Sequence, residues 1–177
     1  NKDDFEAIRK VDNDTSGLWF FNSSKEAGAS QPHRHFQLLP RHSNERVCPR
    51  YNWFCSLLQN RKAHTSEISN CISIKSRDKN NFYNSNELYN LYKSMVEEMK
   101  LGEIDIIEKP LKPYNLLITS EWFALITRET DRSQGFSINA LGFAGYFLGT
   151  TKSNIDNLIK YGPEKILKEV IAQVDKN

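Results

Sequence analysis

Asn22 to Gln37, NSSKEAGASQPHRHFQ, is the stretch from which the rest of the chain can be read. It opens as a polar loop from Asn22 to Gln31, with Gly28 preceded by two serines. Pro32 to Leu39 then reads as a strand closed by Pro40. Along a strand, alternate side chains share a face at a spacing of roughly 6–7 Å. His33, His35 and Gln37 are therefore expected to project together, with Arg34, Phe36 and Leu38 on the opposite side. Phe36 and Leu38 can bury and hold the strand rigid. Two imidazoles and a carboxamide in one row suit chemistry better than core packing. A metal pair is the competing reading; its third ligand would come from His42, Cys48 or His64, none at a familiar ligand spacing.

Outward from this stretch the pattern alternates between helix and strand. Asp3 or Asp4 can cap a short helix carrying Phe5, Ile8 and Val11 at helical spacing. Asp12 to Gly17 reads as a turn, and Leu18 to Phe21 as a buried strand. Downstream, Tyr51 to Leu58 predicts a short helix, and Asn60 to Ser69 is polar and weakly patterned. Asn86 to Lys100 is the clearest helix, with Leu88, Leu91, Tyr92, Met95 and Met99 on one stripe. Tyr114–Thr119 and Trp122–Thr127 predict two strands joined by a tight Ser120-Glu121 turn. Leu141 to Leu148 is apolar and punctuated by glycines, which predicts a strand or a tightly packed segment. Asn154 to Val174 predicts two helical stretches broken at Gly162-Pro163. Neither an internal repeat nor a low-complexity tract interrupts this order. The expectation is one α+β domain over residues 1–177.

The 177 residues carry a formal net charge of +2, with acids and bases interspersed. That balance gives no reason to expect a nucleic-acid partner. No window approaches the roughly 18 apolar residues that span a bilayer, so no membrane partner is expected either. Cys48, Cys55 and Cys71 make an odd count without a C-x-x-C pair, which argues against a disulfide framework and predicts a reducing cytoplasm. The sequence opens at Asn1 on what already reads as a helix, and we expect N-terminal strands to be missing from it.

An imidazole is a good nucleophile near neutral pH. Attack by His35 on an α-phosphorus gives a phosphoramidate and splits one displacement into two. A nucleotide polyphosphate leaves as a stabilised anion and needs little general-acid help. Gln37 can hold a non-bridging phosphate oxygen without titrating, and His33 can orient the row or share the proton on the far nitrogen of His35. Gly28, Ala29 and Ser30 are small enough for backbone N–H groups to approach a phosphate, and the Ser30 hydroxyl adds a donor. Asn22 supplies a further amide.

These residues together resemble a known active-site motif. Asn22, Gly28-Ala29-Ser30 and Pro32-His33-Arg34-His35-Phe36-Gln37 look like the histidine-triad superfamily, in the branch where glutamine replaces the third histidine. That branch holds the hexose-1-phosphate uridylyltransferases and the ATP adenylyltransferases, or diadenosine tetraphosphate phosphorylases. Lys112-Pro113-Tyr114-Asn115-Leu116-Leu117, Trp122 and Ser137 to Gly145 are similar to the adenylyltransferase group. The resemblance implies a histidine-triad-like antiparallel sheet flanked by helices. It also implies a nucleotidyltransferase in which His35 carries AMP, His33 flanks it and Gln37 binds the transferred phosphoryl group. Asn22, Gly28, Ala29, Ser30 and Gln31 would contact nucleotide or phosphate. The partners it implies are a dinucleoside polyphosphate, inorganic phosphate, ATP and ADP, in a monomer or homodimer. No resident cofactor or metal site is expected; a divalent cation travelling with the polyphosphate is the one ion the reading admits. Two alternatives stand beside it: a hexose-1-phosphate uridylyltransferase, and a nucleotide-binding protein without turnover.

Overall fold

Every residue of two central strands is buried. They are β4 (Tyr114–Ile118) and β5 (Trp122–Thr127), and their continuous apolar runs require cover on both sides. The computed structural model describes residues 1–42, 44–59, 67–77, 84–104 and 110–172. The cover it places there consists of helices. With β1 (Gly17–Asn22), β2 (Gln37–Pro40) and β3 (Ile72–Ser76), these strands form one antiparallel sheet in the order β2-β1-β4-β5-β3. The α+β class and the antiparallel sheet flanked by helices are as expected from sequence.

On one face lie α1 (Lys2–Asp12) and α3 (Ser85–Glu98). Phe5 and Ile8 of α1, with Leu88, Met95 and Val96 of α3, pack against Trp19, Phe21, Leu116, Phe123 and Leu125 of the sheet. The other face is covered by α2 (Tyr51–Leu58), α4 (Ala140–Ala144) and α5 (Ile155–Lys168). Leu18, Phe20, Leu117, Trp122, Ala124 and Ile126 point that way, and Phe54 stacks on Trp122 with ring centroids 4.5 Å apart. Each strand thus divides its side chains between two cores by simple alternation.

Helix ends follow local chemistry. Asn1, not Asp3 or Asp4, caps α1: its side chain accepts from the Asp4 amide at 3.2 Å, and the Asp4 carboxylate bonds back to the Asn1 nitrogen. Asn84 and Glu87 form the same reciprocal box at α3. The break expected at Gly162-Pro163 is present as a kink inside α5, where Gly162 has φ 76°.

Three sequence expectations need correction. The strand expected over 32–39 runs only over β2, Gln37–Pro40, and residues 31–36 are irregular. The His35 imidazole bonds the His33 carbonyl at 3.0 Å, a local side-chain-to-backbone bond that competes with a ladder. The apolar segment 141–148 begins as α4 and not as a strand: Asn139 caps it through the Leu141 amide at 2.9 Å, and Gly145 at φ 105° ends it. Finally, β3 was not foreseen. Of the weakly patterned stretch 60–69, residues 60–66 lie outside the described residues, His64 among them, as does the end of the tail at 173–177.

Among the described residues, no helix is long and apolar enough to cross a membrane. All three cysteines are free thiols. Cys48 is 1% exposed, and burial pushes its thiol up to about 12, because a desolvated thiolate is costly. Since the thiolate is the nucleophile, Cys48 should alkylate at least about tenfold more slowly than half-buried Cys55, at any pH between roughly 7 and 9. Peptide mass spectrometry after iodoacetamide treatment checks this; equal labelling in the native state contradicts it.

Candidate functional site

At the end of β1 the chain leaves the sheet through a short 3-10 turn, Lys25–Ala27, and reverses at Gly28 with φ 86°. That left-handed conformation favours glycine. Space favours it too: a Cβ there would lie 2.6 Å from the Ile138 carbonyl oxygen and 2.8 Å from Asn139 Cα. Gly28 therefore seats the loop directly on the segment that leads into α4. Gly28→Ala should cost about 2 kcal/mol through strain and displacement of this contact, read from the urea midpoint. An unchanged midpoint would show that the loop yields freely.

The loop forms one wall of a cleft of about 1150 Å³. Asn22, Gly28, Ala29, Ser30, Gln31 and His33 all stand in its lining, so six of the eight expected residues are brought together. His35 and Gln37 are outside that lining. The His35 ring lies beside the His33 ring, with centroids 5.1 Å apart. Gln37 pairs directly with Phe20, which places it on the same sheet face as Asn22, two residues further along β1. Phe36 and Leu38 pack into the opposite core with Phe21 and Phe5, as the alternation requires. Arg34 reaches the Asp4 carboxylate at 3.3 Å.

The far wall is aromatic. Phe21 and Phe36 stack with centroids 4.9 Å apart, and the hydroxyls of Tyr92 and Tyr114 meet at 2.5 Å. Burial raises both phenols above their ordinary value, so both stay protonated at neutral pH. Lys25, Arg34, Lys112 and Arg132 stand in the lining together with the carboxylates of Asp4, Glu26 and Asp131. Lys112, of the 112–117 stretch, thus lines the cleft as well. Among the described residues no three His, Cys, Asp or Glu side chains gather as a metal site, so His33 and His35 do not recruit His42 or Cys48; His64 lies outside the described residues.

Beneath the loop is a polar cluster that sequence reasoning missed. Arg128 is fully buried. Its Nε donates to the Val170 carbonyl at 3.1 Å. One terminal nitrogen, Nη1, donates to Ala27 O at 3.3 Å and to Asn115 Oδ1. The other, Nη2, donates to Thr130 O at 2.7 Å and Ile138 O at 2.8 Å. All five N–H groups of a guanidinium are thus used. Burial lowers Arg128 to about 10, with the Asp131 charge opposing the shift, so the group remains cationic at neutral pH. Asn115, also fully buried, donates through Nδ2 to Asn22 Oδ1 and to Ala27 O, both at 2.8 Å. The Ala140 amide donates to the same Asn22 oxygen at 2.9 Å. A signal for Asn115 was present: it is the polar residue of an otherwise apolar strand run, and a buried carboxamide demands partners.

Residues 29–173 match the family model of the ATP adenylyltransferase C-terminal domain. The chain belongs to that family. Residues 1–50 also match the model of the Ap4A (diadenosine tetraphosphate) phosphorylase N-terminal domain. Both matches favour the ATP adenylyltransferases over the uridylyltransferases. No curated protein matches the chain. Among solved structures, yeast Ap4A phosphorylase Apa2 is similar at 18% identity and a TM-score of 0.69, over 100% of this chain and 64% of that one. Its complex with Ap4A is similar at 19% identity and a TM-score of 0.67, covering 97% and 63%. The complex with AMP gives 17% and 0.66, covering 98% and 62%. At these identities the likeness establishes a shared fold. The chain spans under two thirds of the length of the yeast protein.

Proposed function

We propose that this chain carries the nucleotidyl-transfer centre of a diadenosine tetraphosphate phosphorylase, with His35 as the nucleophile. The observation that supports it best is the bond from His35 Nδ1 to the His33 carbonyl at 3.0 Å. A carbonyl only accepts, so Nδ1 carries the proton and the lone pair is on Nε2. The backbone of the first histidine thereby prepares the second for attack.

In this reading Nε2 attacks an α-phosphorus of the dinucleotide. A P–N bond forms, the P–O bond to the polyphosphate breaks, and ATP leaves. Inorganic phosphate then attacks the phosphoramidate; the P–N bond breaks, ADP forms and the electron pair returns to Nε2. Gln37 holds a non-bridging oxygen with its NH₂ group, while the Ser30 hydroxyl and the Gln31 amide face the polyphosphate chain. The Gly28 and Ala29 amides, expected from sequence to do so, already donate to Lys25 O and Ser24 O at 2.9 Å each. Lys25 and Lys112 add positive potential along the lining, whereas Arg132 is paired with Asp131 at 3.2 Å. A divalent cation accompanying the polyphosphate fits this scheme. We further read residues 1–177 as one domain, because one sheet supplies both cores. Three free thiols suit a cytoplasmic setting.

One observation favours a second reading. His35 and Gln37 stand outside the lining of the cleft, as would suit a nucleotide-binding protein without turnover. The test is direct. The protein is incubated with Ap4A radiolabelled at the α-phosphates and quenched in base, and acid-labile label on protein is counted. In parallel, ADP release is followed with and without inorganic phosphate. Label on protein together with phosphate-dependent ADP supports the transferase. Nucleotide binding with neither result supports the second reading.

A further inference from the structure

Arg128 has donors only, and this fact orients two carboxamides in series. We propose that Arg128 and Asn115 are positioning residues that fix Asn22 as a hydrogen-bond donor toward an anionic oxygen of the ligand. The inference rests on the reading of the cleft as a polyphosphate site, and it goes beyond that reading by naming what sets the polarity of its wall.

Because Arg128 Nη1 can only donate, the Asn115 atom facing it is the oxygen. The nitrogen of Asn115 is then on the other side, where it meets Asn22 and the Ala27 carbonyl at 2.8 Å each. Both protons of that NH₂ are spent. The Asn22 atom receiving one of them is consequently its oxygen. The Ala140 amide, also a donor, confirms the assignment at 2.9 Å. Asn22 Oδ1 is saturated from within, and among the described residues no partner takes up Nδ2, the donor end of a residue that stands in the cleft lining. An asparagine without this constraint could flip and offer an acceptor, which would repel phosphate oxygens.

The same guanidinium acts on the loop itself. It holds Ala27 O and Ile138 O, the two carbonyls adjoining the Gly28–Asn139 contact, so the loop and the entry to α4 are tied to one buried cation. Among the described residues no carboxylate bonds Arg128. The Asp131 charge acts on it without a direct bond, and the guanidinium stays a buried cation beneath a loop assigned to anions, where low dielectric preserves its reach.

The probe is inorganic tripolyphosphate, titrated into ¹⁵N-labelled protein and followed by NMR. In the free wild type, the Asn115 side-chain amide protons should exchange slowly with water and those of Asn22 fast. On titration the Asn22 side-chain NH₂ and the Ser30 backbone amide should both shift. Asn115→Asp keeps the acceptor toward Arg128 but removes both donations and neutralises the buried charge. It should bind tripolyphosphate about tenfold more weakly or worse, with the fold checked by its spectrum. If Asn115→Asp does not fold, Arg128→Lys serves: it keeps the charge, loses the fork, and should split or broaden the Asn22 side-chain signal.

Slow exchange at Asn22 with fast exchange at Asn115 overturns the inference. So does a Ser30 shift that leaves Asn22 unmoved, or wild-type affinity in folded Asn115→Asp; in each case the polyphosphate reading survives. If neither Asn22 nor residues 28–31 respond in the wild type, the polyphosphate site itself is refuted and the inference with it.

Discussion

His35→Ala is expected to eliminate the protein-bound label and to lower phosphate-dependent ADP release by at least about 10⁴-fold. The reason is chemical: the substitution removes the atom to which the nucleotide would be transferred, and no other unprotonated nitrogen is presented by the same backbone arrangement. His33 is adjacent and lines the cleft, but its carbonyl is what orients His35. Stability should barely change. The imidazole is half-exposed and its one described bond is local, so the loss should stay within about 1 kcal/mol. The measurement pairs label per mole of protein with the urea midpoint. Label persisting in a folded His35→Ala protein would remove His35 from the mechanism.

Arg128→Met is expected to have the largest effect on stability, a loss of about 3 kcal/mol or more in urea unfolding. Two opposing contributions decide the sign. Burying a guanidinium costs several kcal/mol, and relieving that cost by substitution can be neutral or favourable. Against it stand five hydrogen bonds from a charged donor, each worth about 1.5–3 kcal/mol. The methionine would also leave Thr130 O, Ile138 O and Asn115 Oδ1 without the donor they face, while Ala27 O keeps Asn115 Nδ2 and Val170 O keeps the Glu129 amide. Abandoned buried acceptors keep their full desolvation penalty, so the bonds win. A midpoint equal to or above that of the wild type would mean that burial cost dominates and that Arg128 is retained for charge alone.

Much of this architecture was legible in local pattern. β4 and β5 are apolar runs, β4 interrupted only at Asn115, and α3 carries a stripe with helical spacing. β3 was not legible, because Ile72-Ser-Ile-Lys-Ser76 has two apolar residues and acquires strand structure by pairing with β5 from Ile72↔Ile126 to Ser76↔Trp122. The glycines of 141–148 hid α4, whose cap at Asn139 is visible only once Gly145 is taken as a helix stop. The loop of the site was legible through its small residues and Gly28. The Arg128–Asn115–Asn22 series was not. It depends on the register that sets Asn22 opposite Asn115, and no pattern within either strand encodes which rung meets which.

That register has a kinetic meaning. Asn22 and Asn115 are 93 positions apart in the chain, yet they are neighbours at the sheet's centre. Closing so long a loop carries an entropic cost that must be met before the contact returns anything. β1 and β2 can form a hairpin early, but the anchoring of the Gly28 loop waits until β4, β5 and α4 have joined. Ligand capture is therefore expected to appear only with the last, global step of folding. A partly synthesised or partly unfolded chain would hold both histidines and still have no site.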